Sequence, residues 1–442
     1  MPELPEAEPR LQSRYRLLLV ANLSPSQRLA AGLHPPPSVH QSFAAVQAAW
    51  RFYANDRITL DRLIMPMVEH ARREVNQACE GYALVVMDWC QLHLNSHHAL
   101  ADRVSLSRQK DLGYEMLSAL LISDRDGSPI APLGMELRSI DGIYATRSRS
   151  ILPAVSQLDG LEPLMNEVDG WDLGRKPVFI IDAEADSVGH YRRWMQQEKL
   201  FLVRADASRI VLHDEREHSL GQVADALTLH ANGQVDYKGK KAPLFVGQTT
   251  VTLHRPARQH RVGKDRKKRH RNVPGPAITL RLIVSQVRDS SGKVLARWLL
   301  LSNLPPSVSP QQIAQWYYWR WNIESFHKLL KQAGYGIEQW QQESAWAIAK
   351  RLLVTAMCCV IVWQLARDKT PQAEPFRQVL VQLSGRQIKR GKNRPTFTAP
   401  ALLAGLGILL PMLNLLEQYD PKQLLAIARA ALPNLVDPKP SG

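Results

Sequence analysis

Tyr82-Ala-Leu-Val-Val-Met-Asp88 is a short run of strand formers that closes on a carboxylate. A second run, Pro177-Val-Phe-Ile-Ile-Asp182, has the same design. Short apolar runs rich in strand formers read as strands. If the two strands are neighbours, about 4.8 Å apart, both carboxylates emerge at one sheet edge. Taken singly, each aspartate reads as a capping or turn residue; the pair is what suggests chemistry.

Outward from these runs the chain divides by pattern. Residues 1–80 read as helical, with Phe43, Val46, Ala49, Trp50 and Tyr53 at helical spacing in Ser42–Tyr53 and the pattern repeated over Leu60–Asn76. Strand-like segments follow around Ala99–Leu106 and Met116–Ile122, and Asp126-Gly127 signals a hairpin into Ile130–Leu137. A helix is expected over Ala185–Gln197 and a strand over Leu200–Val203. Residues 205–301 look mostly β, ending in a hairpin of Ile278–Val287 and Val294–Leu301. Ser309-Pro310-Gln311-Gln312 opens a helix with Ser at the cap and Pro at the first position, expected to run to about Ala333 before Gly334. The remainder reads as mainly helical.

The domains expected are therefore 1–80 (helical), 81–204 with 302–345 (an α/β core), 205–301 (a β-rich insertion) and 346–442 (helical, with apolar faces suited to dimerisation). A chain of 442 residues exceeds what one core usually serves. Fifty-six Lys and Arg against 41 Asp and Glu give +15, which favours a polyanionic partner. Four cysteines without a CxxC spacing exclude a disulfide scaffold and a cysteine zinc site. Leu17–Ala21 is too short for a signal-peptide core, and Leu352–Ala366 is shorter than the ~20 residues of a membrane span. The expectation is a soluble protein of the cytoplasm, with no membrane partner.

The helix after Ser309 carries the sharpest signal. Tyr317, Arg320, Glu324 and Lys331 fall within a window of about 60° at 100° per residue, spread over roughly 21 Å of axis. A solvated, charge-paired face is the plain reading. Against it stands the crowd of rings in the same segment: Trp316, Tyr317, Tyr318, Trp319 and Trp321. One acid among bases and rings suits a metal ligand inside a phosphate-binding surface. Glu324 could then join Asp88 and Asp182 in a cluster of hard oxygen donors suited to two Mg²⁺ ions, or Mn²⁺ in their place, about 3.5–4 Å apart.

The Tyr317-x2-Arg320-x3-Glu324-x6-Lys331 spacing resembles the signature of the bacterial DDE transposases of the insertion-sequence-four family, as does the string Arg320-Trp-Asn-Ile-Glu-Ser-Phe-His-Lys328. Asp182-Ala-Glu-Ala-Asp186 is similar to that family's second-aspartate motif, with Ala183 where an arginine is usual. Separations of 94 and 142 residues between successive acids fit its layout.

The resemblance implies an RNase H-like catalytic core with Asp88, Asp182 and Glu324 as catalytic metal ligands. Tyr317, Arg320 and Lys331 would contact the phosphates at the transposon end, with Trp321 flanking them on the DNA-binding face. It further implies strand cleavage at transposon ends through a hairpin, then strand transfer, by a homodimer on double-stranded DNA. Trp298 resembles the position that stacks an unpaired base, although a core tryptophan is the equal alternative.

His254–Arg271 holds nine Lys or Arg against one acid; Arg266, Lys267, Lys268 and Arg269 form its centre. It reads as a phosphate contact within the insertion or as a solvated loop. Two other functions stay open: a catalytically silent DNA-binding relative that inhibits transposition, and a structure-selective nuclease on the same fold.

Overall fold

The computed structural model describes residues 2–23, 39–108, 110–237, 240–262, 268–331, 334–386, 389–390 and 395–431. The chain opens with α1 (Pro9–Leu23), α2 (Val39–Ala54) and α3 (Leu60–Ala78). Five strands follow: β1 (Tyr82–His93), β2 (Val104–Ser105), β3 (Leu112–Ser123), β4 (Pro129–Ser139) and β5 (Gly142–Ala145). Next come α4 (Gln157–Asp169), β6 (Lys176–Ile181), α5 (Val188–Gln196) and β7 (Leu200–Arg204).

The insertion holds β8 (Ile210–His213), β9 (Arg216–Ser219), α6 (Leu220–Ala226), β10 (His230–Tyr237), β11 (Lys240–Leu253), β12 (Ala257–Val262), β13 (Lys268–Val273), β14 (Ile278–Arg288) and β15 (Val294–Ser302). After it lie α7 (Pro310–Trp319), α8 (Trp321–Lys331), α9 (Ala345–Arg367), α10 (Ala373–Leu383), the short pair β16 (Lys389–Arg390) and β17 (Pro395–Thr396), α11 (Ala399–Gln418) and α12 (Pro421–Ala431).

Two compact units result. One comprises residues 59–327 and 344–349; the other joins 1–58, 328–343 and 350–442. This division differs from the one expected. The third helix belongs with the sheet, because Leu63, Ile64, Met67, Val68, Ala71 and Val75 form a buried stripe on α3 that packs on β4 and β3. The insertion is no separate body: β15 pairs with β7, so one 13-stranded sheet runs β5-β4-β3-β1-β6-β7-β15-β14-β11-β8-β9, with β2 on β3 and β10 on β11.

The first six strands of that order make the α/β core. β1 is antiparallel to β3, and β3 to β4, while β6 and β7 run parallel to β1. The core is thus the mixed α/β, RNase H-like arrangement. Strand β1 is longer than its apolar run: pairing with β3 carries it to His93, so Asp88 lies within the strand and not at its tip. The helix expected over 310–333 is two helices, α7 and α8, with a tight turn at Arg320.

In the helical unit, Tyr15, Leu19, Phe52, Tyr53, Val354, Cys358 and Leu402 are buried. Among the described residues α9 and α11 are long and apolar enough to cross a membrane. The most apolar window of α9 is 83% buried, as a core helix is, whereas that of α11 is 28% buried.

Glu167 on α4 is enclosed beside Glu136, and burial pushes its carboxyl up to about 8 against the pull of Thr146 and Arg147. A carboxyl raised above its unfolded value binds its proton more tightly when folded. Its contribution to stability therefore falls as pH rises from about 4.5 to 8, by up to roughly 4 kcal/mol. Glu167→Gln should flatten this dependence. Urea denaturation of both proteins at pH 5 and pH 8 would show the variant gaining on the wild type at the higher pH, and a constant difference would refute it.

Candidate active site

Two neighbouring parallel strands place the first two acids. The register of β1 and β6 ends at Met87 opposite Ile181, so Asp88 and Asp182 are the next residues along on adjacent strands. Asp182 also caps the single turn Ala183–Ala185, its Oδ1 accepting from the Ala183 N–H at 2.6 Å. Capping and site roles thus coexist in one side chain, with Oδ2 left to meet Arg320. Asp88 Oδ1 accepts from the Trp89 N–H at 2.9 Å, which leaves Oδ2 to face the helix.

Glu324 arrives on α8, and Arg320 sits at the centre of the three acids. Its Nη1 lies 3.0 Å from Asp88 Oδ2, and its Nη2 lies 3.2 Å from Asp182 Oδ2 and 2.8 Å from Glu324 Oε1. The guanidinium is 5% exposed, whereas the acids are 18–27% exposed. The cation is therefore covered, and the carboxylates are the groups that solvent reaches.

Tyr317 donates its hydroxyl to Asp182 Oδ1 at 3.1 Å. Burial raises the phenol's pKa, and the charge of Asp182 adds to it. Burial also pushes Asp88 up to about 6. Arg320 and the Trp89 N–H oppose that rise, while Asp182 and Glu324 reinforce it. For Arg320 burial acts against the charge; Tyr317, Asp182, Asp88 and Glu324 outweigh it and hold the guanidinium more firmly protonated.

The turn at Arg320 has a local cause. Asn322 donates its amide to the carbonyls of Trp319, at 3.0 Å, and Gly127, at 2.9 Å. The Arg320 and Ile323 N–H groups bond three residues back, to Tyr317 and Arg320, at 3.1 Å each, so the ladder tightens where the side chain intervenes. Gly127 lies under the Trp319 ring with φ +73°, in the turn between β3 and β4. His327, one turn past Glu324, meets Ser118 Oγ at 2.8 Å, and Ser118 is the β3 residue opposite Asp88. Two anchors thus fix α8 against β3 and the β3–β4 turn, beside the strand that carries Asp88.

The other expected residues fall as follows. Trp321 is half exposed. Trp298 is 9% exposed, its ring 6.1 Å from that of Tyr317 and 6.3 Å from that of Tyr318, so it packs and does not face solvent. Lys331 belongs to the helical unit, where its Nζ lies 3.0 Å from Glu338 Oε1. Lys268 and Arg269 are on β13, with Arg269 opposite Arg261 of β12; Arg266 and Lys267 lie outside the described residues.

Sequence reasoning missed Arg204 at the end of β7, whose Nε is 2.6 Å from Asp182 Oδ1 and whose side chain is 41% exposed. An arginine closing a strand carries no signal of its own; the register of β6 with β7 was needed to bring it there. Asp186 receives the Tyr191 hydroxyl at 2.9 Å and pairs with Arg209 at 2.7 Å. It pins the loop that follows Asp182.

Residues 154–361 match the family model of the transposase DDE domain. That stretch is similar to a transposase DDE domain, and transposases of that family are metal-dependent enzymes of DNA phosphoryl transfer. It contains Asp182 and Glu324, and Asp88 precedes it. The donor chemistry fits a divalent cation: three carboxylates converge on a single positive group and present hard oxygens. Among the described residues, no three His, Cys, Asp or Glu groups are already spaced to hold an ion, because the guanidinium stands between these three.

Gly127→Ala should loosen this arrangement. The new Cβ would lie 2.4 Å from Trp319 Cγ on a backbone that favours glycine, at a cost of roughly 1–3 kcal/mol. Chemical denaturation measures that loss; a variant as stable as the wild type would show that the turn does not brace the helix junction.

Proposed function

We propose that this protein is a cut-and-paste transposase of the insertion-sequence-four type, in which Asp88, Asp182 and Glu324 hold Mg²⁺, with Mn²⁺ able to substitute. The observation that carries the reading is the convergence of three acids, from two adjacent strands and one helix, on one cation. Divalent ions held there would polarise the scissile phosphate and stabilise the attacking and leaving oxygens.

The chain's own groups do the rest. Tyr317 and the Ala183 N–H hold Asp182 in place from one side, and Arg204 supplies a half-exposed positive charge beside it. Such fixed groups neutralise charge on a phosphate without reorganising during the reaction. Lys331, Trp321 and the basic β12–β13 hairpin would extend the contact along DNA. Nine Lys and Arg against one acid over His254–Arg271 suit a polyanion.

The same reading includes a hairpin on the transposon end and a homodimer on paired ends in the bacterial cytoplasm, at the nucleoid. Ile408, Met412, Leu413, Leu415 and Leu416 are exposed on α11 and suit a protein contact. In the hairpin step Trp298 would leave its packing on Tyr317 to receive a base.

Asp88→Ala should abolish Mg²⁺-dependent cleavage of DNA carrying the inverted repeats that flank the gene, in a gel assay of nicked and hairpin products. Surviving cleavage would refute the metal-ligand assignment, and cleavage by the wild type without strand transfer would favour the nuclease. Trp298→Ala should slow hairpin formation more than first-strand nicking. Equal slowing of both would assign the ring to packing alone.

A further inference from the structure

We propose that Arg320 is the resident cation of the carboxylate cluster, and that a divalent ion takes the three acids only as this guanidinium withdraws. The inference rests on the metal-ligand reading above and goes beyond it by assigning a competitor to the site. Asp182 Oδ2 and Glu324 Oε1 touch the same nitrogen, at 3.2 and 2.8 Å, and Asp88 Oδ2 touches the other at 3.0 Å. A magnesium-sized ion binds its oxygens at about 2.0–2.1 Å. It would therefore occupy the ground that the guanidinium fills, and two cations cannot share the same three oxygens at those distances.

The chain is built to let this group move. Arg320 stands at the junction of α7 and α8, where the regular ladder gives way to bonds three residues back. The anchors that follow it on α8, Asn322 on Gly127 and His327 on Ser118, hold that helix without using the arginine. Trp321, half exposed, lies with its ring 5.6 Å from the guanidinium carbon and offers a face beside the site. A displaced guanidinium then needs another anion, and a DNA phosphate at the same cluster supplies one. Metal and phosphate binding would support each other through one side chain, because each relieves what the other displaces.

The test measures Mn²⁺ affinity of the full chain without DNA, by electron paramagnetic resonance of the free ion at pH 7.5. Arg320→Gln keeps a hydrogen-bonding amide and removes the charge; it should bind Mn²⁺ about tenfold or more tightly than the wild type. Asp88→Asn should weaken binding in both backgrounds. Equal affinities in wild type and Arg320→Gln, with Asp88→Asn still weakening both, would overturn the competition and leave the ligand assignment standing. No effect of Asp88→Asn in either background would overturn the assignment and the competition with it.

A thermal melt establishes that Arg320→Gln is folded. Should it not be, the wild type gives a second measurement. Titration with Ca²⁺, which does not quench fluorescence, should change the tryptophan emission by a component missing in Trp321→Phe. Identical responses in the two proteins would overturn the withdrawal.

Discussion

Three acids can be gathered in one place only if something offsets their repulsion. At about 5 Å and an effective dielectric near 20, a pair of carboxylates repels by about 3 kcal/mol. Burial adds to that cost, as the upward displacement of Asp88 records. Arg320 supplies the offset with a planar fork that reaches Asp88 from one nitrogen and Asp182 and Glu324 from the other. Everything else in the site serves that meeting: the parallel register of β1 and β6, the capped turn after Asp182 and the two anchors of α8.

The strand register is the stricter condition. Side chains alternate across a sheet, so a slip of one residue between β1 and β6 would send one aspartate to the opposite face. The apolar runs resist such a slip: Leu84, Val85, Val86 and Met87 on one strand, and Val178, Phe179, Ile180 and Ile181 on the other, are fully buried. Hydrophobic packing thus sets the alignment of two charges that would otherwise prefer to be apart.

These features differ in how plainly the chain announces them. The strand that ends before Asp182, the cap at Ser309 and the Asp126-Gly127 hairpin are local patterns, and each stands where its residues place it, whereas pairing with β3 carries β1 past Asp88 to His93. The turn at Arg320 could not be read in the same way. No Pro or Gly marks it; it arises because Asn322 reaches a carbonyl on a hairpin almost 200 positions away in the chain. Arg204 was hidden for a related reason, since a lone base at a strand end gains meaning only from its neighbour. The spacing of Tyr317, Arg320, Glu324 and Lys331 pointed to this helical segment, but the covered guanidinium at the centre of the acids was legible only in three dimensions.

The join between β7 and β15 has a consequence of its own. Strand β7 is bonded on one side to β6 and on the other to the last strand of the insertion. Excising residues 205–301 to obtain a minimal catalytic fragment would strip one margin of β7 and leave its amides and carbonyls open. Such a margin recruits strands from other molecules. The insertion is a seal as well as an accessory, and a trimmed protein would aggregate before its chemistry could be assayed.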